Sequence, residues 1–248
     1  MMDGKTGRGS GRVLFMAMYL VPNDARFLKM RDRLVTEGFE VSAIVPRVEG
    51  VNAAPGVTIV EPGPVSRLAN VLRGVPLLGR LASAWVARRR KRGLAAGALR
   101  AHPDVIIGFD PEAMPAALEA KAQTGARFIY DAHEYHSAEA PDEPARGEWV
   151  ARLESRLGPH LDGFVTVNKS IAALYARDGR ITRPALVVRN SVDPFPPHDG
   201  VDRLRPALGV PADEKILLYH GALRPMRGLP DLAELSHVLP GGWTIGVM

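Results

Sequence analysis

The sequence predicts an α/β protein built on a parallel β-sheet covered by helices on both faces. Three observations lead to it. Short apolar runs rich in β-branched residues alternate with longer helical patterns along most of the chain. The apolar runs are hydrophobic at consecutive positions rather than at every second one, as the doubly buried strands of a parallel sheet are. Composition agrees: 46% hydrophobic and 24% charged residues over 248 positions suit a folded chain with one large or two small cores.

The elements follow in order. After a Gly- and Lys/Arg-rich start, Val13 to Met18 reads as a strand. The run Val13 to Val21 is too short to cross a bilayer, and no small-residue cleavage site follows it, so neither a span nor a signal peptide is expected. Gly4-Lys5-Thr6 lacks the preceding strand and glycine loop that a phosphate-binding loop needs. Ala25 to Glu37 reads as a helix ended by Gly38, and Glu40 to Val45 as a strand closed by Pro46. Val57 to Val60 is a short strand, and Arg67 to Arg100 a helical stretch interrupted at Gly74 to Pro76. Strand Val105 to Gly108, helix Glu112 to Gln123, strand Arg127 to Tyr130, helix Arg146 to Leu157, strand Gly163 to Val167, helix Ser170 to Asp178 and strand Ala185 to Val188 complete a first domain, residues 1–190.

Residues 191–213 carry Pro194, Pro196, Pro197, Pro206, Pro211, Gly200 and Gly209, a linker composition. Beyond it, strand Lys215 to His220, helix Leu229 to Leu239 and strand Trp243 to Val247 begin a second α/β domain, residues 214–248. So short a piece buries little surface, and this domain is expected to be incomplete as given.

Charge and composition exclude several function classes. There are no cysteines, which removes disulfides, thiolate ligands and thiol nucleophiles and points to a cytoplasmic setting. The net charge is +5, and between Glu61 and Asp104 there are nine basic residues and no acidic one. Arg88, Arg89, Arg90, Lys91 and Arg92 form its densest part. Without interleaved aromatics or a nucleic-acid-binding motif, no nucleic-acid partner is expected. Two readings remain open: a solvated helix face, or a surface on which Val71, Leu72, Val75, Leu77, Leu78, Leu81, Trp85 and Val86 contact lipid while the cations meet anionic headgroups. The second places the protein peripherally on the inner face of the cytoplasmic membrane.

The stretch Tyr130 to Glu143, YDAHEYHSAEAPDE, holds two histidines and five acidic residues. A metal site needs ligands converging on one point with a position left open. His133 and His136 are three apart in a loop flanked by Asp131 and Glu134, and no second His/Asp cluster completes a shell, so no metal is expected. His136 and the acids from Glu139 to Glu143 read as loop polarity, with acids capping the following helix. Asp110 is either a group at the site or the N-cap of the helix starting near Pro111.

Several segments, in this order and spacing, resemble the large retaining glycosyltransferase family 4 of the GT-B fold. They are Asn23 to Arg26 with Leu34 to Val41 (LVTEGFEV), Gly108 to Ala117 (GFDPEAMPAA), Ile129 to Glu134 (IYDAHE), Val188 to Asp193 (VRNSVD) and Leu218 to Leu229 (LYHGALRPMRGL). The resemblance implies two Rossmann-like domains across a cleft, the acceptor held mainly by the first and a nucleotide-sugar donor mainly by the second. It implies transfer of a sugar to a hydroxyl in cell-surface glycan or glycolipid assembly, on a glycan or lipid-linked acceptor. No cofactor is implied, since the nucleotide-sugar is a substrate. His133 and Asp110 are the implied catalytic pair. Arg26 and Glu134 fall on the acceptor side, and Gly221, Arg224, Arg227 and Asn190 on the donor side. Ala222 stands where the family commonly has Arg, so Arg224 is expected to substitute. The family's Glu-x7-Glu donor segment is not in this sequence. An alternative is therefore a truncated or split half that binds acceptor or membrane and needs a second chain to complete the donor site.

Overall fold

The computed structural model describes residues 11–18, 24–46, 56–60, 76–139, 143–191, 200–221, 223 and 227–248. The first apolar run forms strand β1 (Arg12–Met16), whose side chains alternate between two cores. Leu14 and Met16 enter a cluster with Ile44, Leu94, Ile106 and Phe128, while Val13 and Phe15 enter another with Phe27, Ala43, Ile107 and Phe109. Both faces of the strand are covered, which is why its sequence shows no alternation.

β1 lies in a parallel sheet with β2 (Glu40–Pro46), β3 (Val57–Val60), β4 (Val105–Phe109), β5 (Arg127–Ala132), β6 (Gly163–Thr166) and β7 (Ala185–Val187), in the order β3-β2-β1-β4-β5-β6-β7. Its helices are α1 (Ala25–Thr36), α2 (Pro76–Ala101), α3 (Met114–Thr124), α4 (Pro144–Leu157) and α5 (Lys169–Asp178). Asp24 caps α1, its Oδ1 accepting from Phe27 N at 2.8 Å, and Asn168 caps α5, accepting from Ile171 N at 2.7 Å. α2 carries the chain from β3 at the edge back to β4 beside β1. There the strand order reverses, and a crevice opens beyond the carboxyl ends of β1 and β4, the usual ligand position in such sheets.

β4 and β5 fix what faces that crevice. Their register pairs Gly108 with Tyr130 and Phe109 with Asp131, so both chains leave the sheet side by side. Gly108 is required by packing, because a Cβ there would lie 2.8 Å from the Phe128 ring.

The chain divides into two compact units, Met1–Ser191 and Val192–Met248. In the second, β8 (Lys215–Tyr219) pairs in parallel with β9 (Trp243–Val247), with α6 (Leu204–Leu208) and α7 (Leu229–Leu235) beside them in sequence. α6 forms inside the stretch read as linker. Asp202 Oδ1 accepts from Leu204 N and Arg205 N at 3.1 and 3.0 Å, and Leu208 packs against Gly246 of β9. α7 ends at Leu235, four residues before the expected Leu239, where the Ser236 hydroxyl donates to Ala233 O at 2.6 Å and the chain turns. Of the helical stretch expected from Arg67, residues 67–75 lie outside those described, and the helix is already formed at Pro76, which was expected within the interruption.

Candidate functional site

Above the carboxyl ends of β1, β4 and β5 lies a cavity of about 260 Å³, lined by Ala17, Asp24, Arg26, Phe109, Asp110, His133 and Asn190 among others. Ala17, just after β1, the start of α1 with Asp24 and Arg26, and the residues just after β4 and β5, Asp110 and His133, form its wall.

Asp110 is held in a backbone conformation that side chains rarely adopt, φ 65° and ψ 152°, a region populated almost only by glycine. Pro111 follows it in a short 3-10 turn, Pro111–Ala113. The capping alternative for Asp110 is excluded, because its side chain makes no cap bond to that turn. Its Oδ1 instead lies 3.4 Å from His133 Nε2 and 3.7 Å from His136 Nε2. Burial raises the Asp110 pKa, with Glu112 and Glu139 adding to the rise and the two histidines opposing it.

His136 corrects the sequence reading. It is not loop polarity: only 3% of it is exposed. It begins the 3-10 turn His136–Ala138, which turns its ring inward against the end of β4. Its Nδ1 pairs with Glu139 Oε2 at 2.9 Å, and Glu139 and Glu112 are both held by Arg146 of α4, at 3.4 and 3.1 Å. Burial lowers the His136 pKa, but the Glu139 hydrogen bond and the surrounding carboxylates outweigh it and the net shift is upward. Glu139 shifts the other way, down to about 2, chiefly through that hydrogen bond. Glu143, at the start of α4, makes no capping bond.

Arg26 and Asp131 form a buried, bidentate pair: Arg26 Nε and Nη2 donate to Asp131 Oδ2 and Oδ1 at 3.0 and 2.8 Å. Arg26 Nη1 donates to Val188 O at 3.0 Å, tying the start of α1 to β5 and to the residue after β7. Burial raises the Asp131 pKa, with the hydrogen bonds and charge of Arg26 opposing it. Beneath the turn, Tyr175 and Tyr130 hydroxyls donate to buried Glu154 Oε1 at 2.7 and 3.2 Å.

The first unit thus brings together Asp110, His133, Arg26 and Asn190 of the expected residues. Glu134 is exposed and is not part of the cavity lining. Gly221, just after β8, and Arg227, in the turn before α7, lie exposed in the second unit, and Arg224 falls outside the described residues. On α2, Arg88, Arg89 and Arg92 are exposed, while Arg90 and Lys91 are half-buried, Lys91 Nζ meeting Glu119 Oε2 at 2.8 Å. Arg89 lies over the Trp85 ring at 5.3 Å. A second cavity, about 610 Å³, is lined by Val86, Arg88, Lys91, Leu94 and Trp149, among others. Among the described residues, no helix is long and apolar enough to cross a membrane.

Sequence reasoning missed His136, Glu139 and Arg146. The spacing His133, His136, Glu139 was visible, but its partner Asp110 follows another strand, β4, and only the β4–β5 register brings it alongside.

Solved structures of low identity share the fold. Sucrose-phosphate synthase from Thermosynechococcus elongatus is 14% identical with a TM-score of 0.68, the match covering 95% of this chain and 62% of that one. Anabaena Alr3699/HepE in complex with UDP-glucose is 16% identical with a TM-score of 0.62, over 96% of this chain and 60% of that one. The apo lipopolysaccharide outer core galactosyltransferase WaaB is 13% identical with a TM-score of 0.58, over 95% and 60%. This chain therefore spans about three fifths of the length of each. The architecture is that of the GT-B glycosyltransferases, as the motifs led one to expect. No curated protein matches the chain. A glycosyl transferase 4-like domain matches residues 24–191, the part that carries the strand-end cavity with Asp110 and His133, and the chain belongs to that glycosyl transferase family.

Proposed function

We propose that the cavity above β1, β4 and β5 receives the hydroxyl acceptor of a retaining glycosyl transfer from a nucleotide-sugar, in assembly of a cell-surface glycan or glycolipid. The observation that carries the reading is the strained Asp110 beside His133 in a strand-end cavity of a glycosyl transferase domain. The complex of Anabaena Alr3699/HepE with UDP-glucose supports a donor of that class.

In the transfer, the bond from the sugar's anomeric carbon to the diphosphate oxygen breaks and one to the acceptor oxygen forms. The acceptor's proton passes to the departing diphosphate on the same face, so no strong protein base is required. His133 orients the reacting sugar through a hydrogen bond, and Asp110, already fixed by its backbone, aligns the acceptor hydroxyl. Preorganisation of this kind lowers the barrier without reorganisation at the moment of reaction. Arg227 and Arg224, with the backbone at Gly221, compensate the diphosphate charge in place of a metal at that position. The exposed cations of α2, with Trp85, hold the protein at an anionic membrane surface where a lipid-linked acceptor resides.

The test is release of nucleoside diphosphate from UDP-, GDP- and ADP-sugars with lipid-linked acceptors. Wild type should turn over one donor class, with the anomeric configuration retained by NMR, and His133→Ala should lower kcat by about 100-fold. Turnover unchanged in His133→Ala would sink the assignment.

A further inference from the structure

We propose that Asp110 Oδ1, His133 Nε2 and His136 Nε2 form a binding site for a divalent transition-metal ion of the zinc class. The sequence alone pointed the other way, for want of a third ligand, and the pairing of β4 with β5 supplies it. The ligand atoms all lie within 4.8 Å of one another. The two nitrogen-to-oxygen separations, 3.4 and 3.7 Å, are too long for good hydrogen bonds. They are close to the edge of a tetrahedral shell with metal-to-ligand bonds of about 2.0–2.1 Å, which is roughly 3.4 Å.

The orientation of His136 is the second, independent observation. Its ring is almost wholly buried, and Nε2 has no hydrogen-bond partner. An orphaned imidazole nitrogen in the interior is costly unless something takes its lone pair. The other nitrogen, Nδ1, pairs with Glu139 Oε2 at 2.9 Å, the carboxylate–histidine arrangement that fixes a ligating tautomer with the free lone pair aimed at the ion. Arg146 in turn holds Glu139, so the supporting residues are themselves anchored. The strained backbone of Asp110 aims its carboxylate at the same point.

Two imidazoles and one carboxylate suit zinc, cobalt or nickel and do not suit magnesium or calcium, which prefer all-oxygen shells. Asp110 and His133 also line the strand-end cavity, so the remaining coordination position opens towards it. An ion there engages His133 directly. Metal occupancy is then mutually exclusive with the sugar-orienting role of His133 and the acceptor-aligning role of Asp110, and zinc inhibits transfer. The binding inference stands whether or not the transfer reaction is as proposed.

The experiment is titration of the full chain with Zn²⁺, Co²⁺ and Mg²⁺ by calorimetry, with Co²⁺ absorption as a report on nitrogen ligation. One saturable Zn²⁺ site per chain, the intense visible bands of low-coordinate Co²⁺, and no Mg²⁺ binding are expected. Asp110→Asn and His133→Gln should each abolish that site, and Glu139→Gln should weaken it about 10- to 100-fold. Exposed His160→Gln should leave it unchanged. His136→Ala tests the buried ligand, with circular dichroism confirming that it folds, and the partly exposed His133 carries the test if it does not. Zinc binding that is absent, that survives His133→Gln and Asp110→Asn, or that His160→Gln removes would overturn the site. A zinc site in a chain without transferase activity would refute the transfer reading alone.

Discussion

Asp110 pays a backbone cost that only glycine avoids, and relieving it separates stability from chemistry. A residue in that region carries about 1–3 kcal/mol of strain. Asp110→Gly should therefore raise the unfolding free energy by about 1 kcal/mol in urea titrations, after the greater freedom of glycine in the unfolded chain is subtracted. Asp110→Ala keeps the strain and should gain nothing, and both should lose transfer activity. Arg26 works in the opposite sense. Arg26→Ala leaves buried Asp131 without its partner and should cost about 3–5 kcal/mol, with Asp131→Asn in the same chain recovering part of the loss. At this scale the sequence placed His133 in the loop above β5, where it lines the cavity, and was silent about conformation. Nothing in Phe109-Asp110-Pro111 betrays a φ of 65°, and Asp131 looked like one acid among five until the fold buried it against a helix 105 residues earlier.

Strands and helices were the most legible scale, because burial on both faces writes itself into consecutive apolar residues. The misses have local causes: Asp202 starts a short helix amid prolines, and Ser236 stops another early. One junction gives a pH prediction. Asp162, just before β6, accepts from Phe128 N at 2.7 Å and Lys121 Nζ at 2.6 Å, and it donates its own N–H to Phe128 O at 2.9 Å. Burial raises its pKa, but these partners outweigh it and hold the carboxyl below the ordinary 3.8. A depressed folded-state pKa gives stability that is present above 3.8 and is lost as pH falls below it through the folded value. Asp162→Asn should therefore cost about 1–2 kcal/mol at neutral pH, and the gap from wild type should close in strong acid, as followed by urea unfolding across pH. On α2, the proposed membrane attachment predicts that neutralising Arg88, Arg89 and Arg92 abolishes sedimentation with anionic vesicles and leaves behaviour with neutral vesicles unchanged, because each exposed cation contributes about 1 kcal/mol near such a surface.

For the whole molecule, the parallel sheet could be read from the chain but its strand order could not. Alternating β and α segments demand crossovers, yet the pattern is the same whether β4 returns beside β1 or continues outward past β3. Its return beside β1 creates the crevice, and this is why Asp24, Asp110 and Asn190, far apart in sequence, line one cavity. Asp110, His133, His136 and Glu139, by contrast, all come from one β-α-β unit, residues 105–139. The three proposed metal ligands and Glu139 thus lie in a single uninterrupted stretch of about thirty-five residues. Their relative placement is set by the pairing of two adjacent strands, β4 and β5, rather than by the reversal of strand order that assembles the rest of the cavity.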